Sequence, residues 1–179
     1  REFDVLARPL IMGVVNVTPD SFSDGGHFIE PAAAIAHARQ LRAEGADVLD
    51  IGAESTRPGS DPVPAAKQVL RLLPVVTTLA AEGACVSIDT SSSEVARACL
   101  AAGAGVVNDV TALGDPGMGQ VVAAAGAGLV LMHMRGTPAT MQQAPEYDDV
   151  AREVSEFLAA RLGAARGAGR RPFHLCQGG

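Results

Sequence analysis

The sequence has no tryptophan, one tyrosine and five phenylalanines, so aromatics make up only 3% of a chain that is 47% hydrophobic. Its core must be packed from Val, Ala, Leu and Ile, and 179 residues suffice for one globular domain, read as residues 1–179. Cysteine is as scarce. Cys85, Cys99 and Cys176 are odd in number and have no CxxC spacing, which excludes a disulfide framework and a zinc site and fits a reducing, cytoplasmic compartment. Long apolar runs are missing too: none approaches the roughly 20 residues that span a bilayer, and the N-terminal residues lack the apolar stretch of a signal peptide. The expectation is no membrane and no export. Positive charge is in deficit, with Lys+Arg 14 against Asp+Glu 20 and a net charge of -6, so nucleic acid and anionic surfaces are repelled overall. Local phosphate binding is left to a few arginines and backbone amides. No GxGxxG follows the first apolar run, which counts against dinucleotide binding.

What is present is a repeat of short apolar, β-branched runs, each followed by a polar or Gly-rich loop and then an Ala-rich amphipathic segment, the signature of βα units. The first unit is Leu10 to Val15 followed by Pro31 to Glu44, with Gly45 as a helix stop. The second is Asp47 to Gly52 followed by Pro64 to Glu82, closed by Gly83, and the third is Ala84 to Ile88 followed by Ser91 to Ala102. Thr90 or Ser91 is the expected N-cap of that helix, with Glu94 in capping-box position. The fourth is Gly105 to Val110 followed by Pro116 to Ala125; the fifth is Gly128 to Met132, a loop, and Tyr147 to Arg166. Such an α/β chain makes either an open doubly wound sheet or part of a barrel. Polar residues at the end of every strand favour a ring of strands sharing one central site. A complete (β/α)8 barrel takes about 250 residues, so the expectation is an incomplete barrel, and residues 167–179 read as an atypical, frayed or non-native tail.

The strand ends carry the chemistry-bearing residues. Asn16 to Gly26 crowds amide, hydroxyl and carboxylate groups into one loop, where Asn16 can offer an amide oxygen to a hard cation such as magnesium and Asp20, Ser21, Ser23 and Asp24 can close over a ligand. The bland alternative is an Asx or Ser turn around Pro19. Glu54 to Ser60 sets hydroxyls beside Arg57, whose guanidinium suits phosphate or carboxylate, although a solvated Pro-Gly turn reads equally well. The third strand ends at Asp89 and the fourth at Asn108 and Asp109; a carboxylate and an amide from neighbouring strands can together hydrogen-bond a heterocycle such as a pteridine or purine. Strand alternation sends one of Asn108 and Asp109 inward and the other away. Alternatively Asp89 caps a helix and the other two satisfy loop amides. Met132 suits an apolar wall for a flat ring. His133 has no nucleophile motif beside it and reads as a packed strand-end residue, and His27 and His37 have no ligand spacing.

Taken together, Asn16 to Gly26, Asp50-Ile51-Gly52-Ala53-Glu54-Ser55-Thr56-Arg57-Pro58-Gly59, Val86-Ser87-Ile88-Asp89-Thr90 and Val107-Asn108-Asp109-Val110 closely resemble the dihydropteroate synthases, folate-pathway enzymes inhibited by sulfonamides. Tyr147-Asp148-Asp149-Val150 looks like that family as well, and the resemblance runs from about residue 10 to 166. It implies a TIM-barrel fold, a homodimer, and condensation of 6-hydroxymethyl-7,8-dihydropterin diphosphate with 4-aminobenzoate to 7,8-dihydropteroate and pyrophosphate. By the same resemblance Asn16 is the Mg2+ ligand, Asp89 and Asn108 read the pterin edge, Thr56 and Arg57 contact the diphosphate or shape the aminobenzoate site, and Val110 and Met132 line the pterin pocket. No residue is assigned as a catalytic acid or base. The family's Asp-Pro-Gly, Ser-Arg-Lys and Arg-x-His motifs of the last three strands have no counterpart, since Asp115-Pro116-Gly117 precedes the fifth strand. The expectation is a C-terminally truncated synthase with little activity alone and a tendency to associate; the alternative is a catalytically dead pterin-binding or partner-binding relative. A pterin-dependent methyltransferase is a third reading, disfavoured by the long first loop and Ser55-Thr56-Arg57-Pro58.

Overall fold

Five parallel strands lie in the order β1-β2-β3-β4-β5, the order in which the chain makes them. A doubly wound sheet reverses its strand order at a switch point; a sheet that never reverses, with each helix packed on the next, is a curved segment of a barrel wall. The computed structural model describes residues 8–17, 31–54, 62–136, 140 and 146–169. Within them β1 (Met12–Asn16), α1 (Pro31–Ala43), β2 (Val48–Gly52), α2 (Ala65–Ala81), β3 (Val86–Asp89), α3 (Ser93–Ala101), β4 (Val106–Asp109), α4 (Met118–Ala125), β5 (Gly128–Leu131) and α5 (Val150–Ala168) alternate without exception.

The in-register pairing sorts the strand residues into two faces. Val15, Ile51, Ile88 and Val107 lie side by side across β1 to β4 and are at most 1% exposed. Val15, Ile51 and Ile88 pack under the helices, with Leu72, Val75, Val76 and Leu79 of α2 and Val95 and Cys99 of α3 filling one core. Val107, Leu129 and Leu131 pack with Met118, Val121 and Val122 of α4 in a second cluster. Both clusters are aliphatic, as the shortage of aromatics requires. On the opposite face β1 shows Met12 and Val14, 37% and 56% exposed. That face is the inner surface of the barrel segment, and its strand ends hold the polar groups.

Gly45 and Gly83 follow α1 and α2 with φ of 111° and 73°, the left-handed turns expected of helix stops. The start of α3 corrects the expected cap. Ser92, not Thr90 or Ser91, is the N-cap, its hydroxyl accepting from the Val95 N–H at 3.4 Å, while the Thr90 hydroxyl accepts from the Ser92 N–H at 3.1 Å. Asp115 completes this start from outside the helix, with Oδ2 accepting from the Ser93 N–H and Oδ1 from the Gly117 N–H, both at 2.8 Å. These bonds hold its carboxyl below the usual carboxylate range. At the far end, α5 continues through Gly167 to Ala168, beyond the boundary expected at Arg166; residues 170–179 of the tail lie outside the described residues.

Gly103, between α3 and β4, offers a test of this packing. Its φ is 107° and a Cβ there would stand 2.8 Å from the Ala80 Cβ, so Gly103→Ala is expected to cost roughly 3 kcal/mol through strain and overlap together. Urea denaturation checks it. Gly105→Ala, where a Cβ meets nothing within 4 Å, serves as the control and is expected to leave the midpoint nearly unchanged.

Candidate active site

At the carboxyl ends of the strands, register places Asn16, Gly52, Asp89, Asn108 and Val130 side by side across the sheet. One layer deeper lie Val14, Asp50, Ser87, Val106 and Gly128. The upper row is a polar shelf with a gap at Gly52. Asp89 leans over that gap, since a Cβ on Gly52 would lie 3.5 Å from its Oδ2. No hydrogen bond reaches the Asp89 carboxyl from the described residues. Burial pushes its pKa up to about 7, and the neighbouring Asp50, Asp109 and Glu54 charges push the same way. A carboxylate without donors among the described residues can accept from a ligand that brings N–H groups.

Asn108 stands beside Asp89 in register, and its Nδ2 donates to Asp50 Oδ2 at 2.9 Å. Asp109 points the other way, as alternation requires, and is fully buried on the helix side. There it ties the turn after β4: Oδ1 accepts from the Thr111 N–H at 2.9 Å and hydroxyl at 2.6 Å, and Oδ2 from the Leu113 N–H at 2.8 Å. Of the two alternatives for this pair, Asn108 faces the inner surface and Asp109 is structural. Val110 and Met132, both half-buried, directly follow the last residues of β4 and β5, at the same carboxyl end as the shelf.

Asn16 ends β1 with its side chain exposed and no hydrogen-bond partner among the described residues. Thr56 and Arg57, with the residues of the first loop beyond Val17, lie outside the described residues. The foot of the loop that carries them is nevertheless fixed. Glu54 Oε1 accepts from the Val63 N–H at 2.9 Å and Oε2 from Gln68 Nε2 at 3.0 Å, and Gln68 Nε2 also donates to the Val63 carbonyl at 2.8 Å. Arg71 beneath them donates to the Ala53 carbonyl at 3.0 Å. His133 is packed, not poised for catalysis: its ring lies 5.9 Å from that of Tyr147 and 5.0 Å from that of Phe157, while Arg135 covers Tyr147 and pairs with Glu153.

Reasoning from sequence gave no role to Asp50. It sits inside a strand buried along its whole length, which reads as apolar wall. The available signal was its position two residues before Gly52, on the face that alternation assigns to the site.

The chain's relatives match it over nearly all of its length. The family described as pterin binding enzyme matches residues 12–175. The chain is 47% identical over 173 residues to a dihydropteroate synthase of Neisseria meningitidis, a match that covers 95% of this chain and 61% of that protein. The structure of Xanthomonas albilineans dihydropteroate synthase with 4-aminobenzoic acid superposes with a TM-score of 0.83 at 49% identity, over 96% of this chain and 61% of that one. Burkholderia cenocepacia dihydropteroate synthase complexed with 7,8-dihydropteroate gives 0.81 at 42% identity, over 95% and 57%. The chain therefore spans about three fifths of the length of these relatives. A match this extended, carried on the same run of parallel strands as a partial TIM barrel, makes the chain a member of the pterin binding enzyme family.

Proposed function

We propose that the chain carries the pterin-reading part of a dihydropteroate synthase, a transferase of folate biosynthesis that joins 6-hydroxymethyl-7,8-dihydropterin diphosphate to 4-aminobenzoate and releases pyrophosphate. The observation that carries this reading is the shelf itself: an acceptor at Asp89 without donors among the described residues, an oriented amide at Asn108 and a bare Gly52 between Asp89 and Asn16. The amine of 4-aminobenzoate forms a C–N bond to the pterin methylene as the C–O bond to the diphosphate breaks. Such a displacement depends on alignment and on stabilising the departing charge more than on a proton shuttle. Asp89 and Asn108 hold the pterin edge, Val110 and Met132 flank the ring, and Thr56 and Arg57 contact the diphosphate or shape the aminobenzoate site.

Asn16 suits a hard cation. Its exposed amide oxygen stands at the strand end, and Mg2+ typically takes only one or two protein oxygens, completing its shell with waters and substrate phosphates. When bound, Mg2+ supplies charge neutralisation to the departing diphosphate. A cytoplasmic location is part of the same proposal, with a homodimer expected of the intact family member. No helix among the described residues is long and apolar enough to cross a membrane.

Calorimetry tests the reading. Mg2+ is expected to tighten binding of pterin diphosphate about tenfold in the unchanged chain and by less than twofold in Asn16→Ala, with 6-hydroxymethylpterin binding equally well to both. Equal magnesium effects in the two proteins would remove Asn16 from the metal site. Absence of pterin binding at millimolar ligand would overturn the function. Binding without pyrophosphate release would leave this chain the recognition step alone.

A further inference from the structure

We propose that Asp50 is a positioning residue, whose carboxylate fixes the Asn108 side chain with Nδ2 toward β2 and leaves Oδ1 as the free acceptor offered to the ligand. The inference rests on the pterin reading for the identity of that ligand and on geometry for everything else.

A terminal amide is nearly symmetric in shape, so an asparagine at a binding site can present either its carbonyl or its NH2 unless a neighbour decides. Asp50 decides it here. A carboxylate oxygen accepts, and Asn108 meets Asp50 Oδ2 through its NH2 group, Nδ2 donating at 2.9 Å. The neighbour is also immobile: Asp50 is 4% exposed on a strand whose five residues are all buried. The bond crosses from β2 to β4 over Ser87, tying one layer of the inner face to the next.

The same carboxylate is poorly served by the fold. Its Oδ1 is buried with no hydrogen-bond partner among the described residues, and so is the hydroxyl of Ser87, its register neighbour. A half-satisfied carboxylate is a worse core residue than an apolar side chain of similar size. Among the described residues its one hydrogen bond to a side chain is to Asn108. Asp50 therefore does for Asn108 what an outer carboxylate does for a metal-binding histidine, selecting which face of an ambiguous group meets the ligand.

The sequence makes the test direct, because Asn16 and Asn108 are its only asparagines. Selective 15N-asparagine labelling of the whole chain yields two side-chain NH2 pairs, assigned with Asn16→Ala. In the ligand-free chain the Asn108 pair is expected to be shifted downfield and protected from exchange, and in Asp50→Ala to collapse toward the free-amide position of Asn16. An unchanged Asn108 pair in a folded Asp50→Ala chain would overturn the proposal. Should Asp50→Ala fail to fold, Asp50→Asn, which keeps the shape, provides the second measurement. It is expected to weaken 6-hydroxymethylpterin binding about tenfold in the parent and less than twofold in an Asn108→Ala background, since an effect relayed through Asn108 vanishes when Asn108 is gone. Equal losses in both backgrounds would show that Asp50 acts on the fold alone. If the parent fails to bind the pterin while the amide behaves as expected, the pterin reading falls and the orientation of Asn108 by Asp50 stands.

Discussion

Replacing Asp89 with asparagine is expected to stabilise this chain at pH 8 while weakening its hold on a pterin. In the folded state the Asp89 carboxyl keeps its proton up to about pH 7; in the unfolded chain it loses it near 3.8. Between those values the native state binds more protons than the unfolded state, so stability falls as pH rises through the window and levels off above it. At about 1.4 kcal/mol per unit, the step from pH 5 to pH 8 removes roughly 2–3 kcal/mol from the parent. Asp89→Asn has no proton to lose and escapes that fall. Urea midpoints at the two pH values check it: the parent drops, the variant drops less, and a parent curve flat across the window would sink the argument. Binding moves the other way. The pterin brings the N–H donors that the carboxylate lacks, and exchanging a charged acceptor for an amide is expected to weaken affinity about 10- to 100-fold. Donors and charge compensation from the ligand also favour ionisation, so the parent should release a proton on binding near pH 7. Calorimetry in buffers of different ionisation enthalpy reads that release directly.

Asp109→Ala is expected to act on the fold alone and more severely. The Asp109 carboxylate gathers two backbone N–H groups and a hydroxyl. The turn it ties holds Ala112 and Leu113 at φ of 50° and 67°, a conformation that side-chain-bearing residues adopt at a cost of about 1 kcal/mol or more each. Hydrogen bonds to a charged group contribute roughly 1.5–3 kcal/mol apiece. Losing three that share one carboxylate should remove about 4 kcal/mol, a large part of the 5–15 kcal/mol typical of a domain. The variant is expected to be largely unfolded in low urea, with Asp109→Asn intermediate because one of its two former acceptor positions becomes a donor facing the Leu113 N–H. An Asp109→Ala midpoint within error of the parent would show that the turn is held by something else.

The contrast between these two aspartates shows what the sequence made legible. Asn108 and Asp109 are adjacent, and the period of two in a strand is enough to say that they serve opposite faces. Which face each serves is set by where the helices pack, which a period of two does not encode. The strands, their alternation with helices and the polar character of their carboxyl ends could all be read from composition and period. The cap of α3 could not. Thr90, Ser91, Ser92 and Ser93 are four consecutive hydroxyl residues, each a plausible cap, and the choice among them is settled by Asp115, 22 residues further on, which takes the Ser93 N–H. Asp50 was hidden for a related reason: its partner is 58 residues away on a strand that is not even its neighbour. Contacts of that span leave no local pattern.

The unbroken strand order bears on how the chain becomes folded. Each strand pairs with the one made just before it, and each helix packs on the preceding helix, so contacts run between consecutive βα units. That order makes each pairing close one intervening helix, the loop-closure cost common to parallel sheets. It also permits assembly during synthesis, one βα unit docking on the last as it leaves the ribosome. The bond between Asp50 and Asn108 is an exception to that locality, so β2 and β3 can pair before the shelf acquires its oriented amide. The recognition surface is then finished later in folding than the wall that supports it, and wall and shelf should separate in time in a refolding experiment that follows the Asn108 amide.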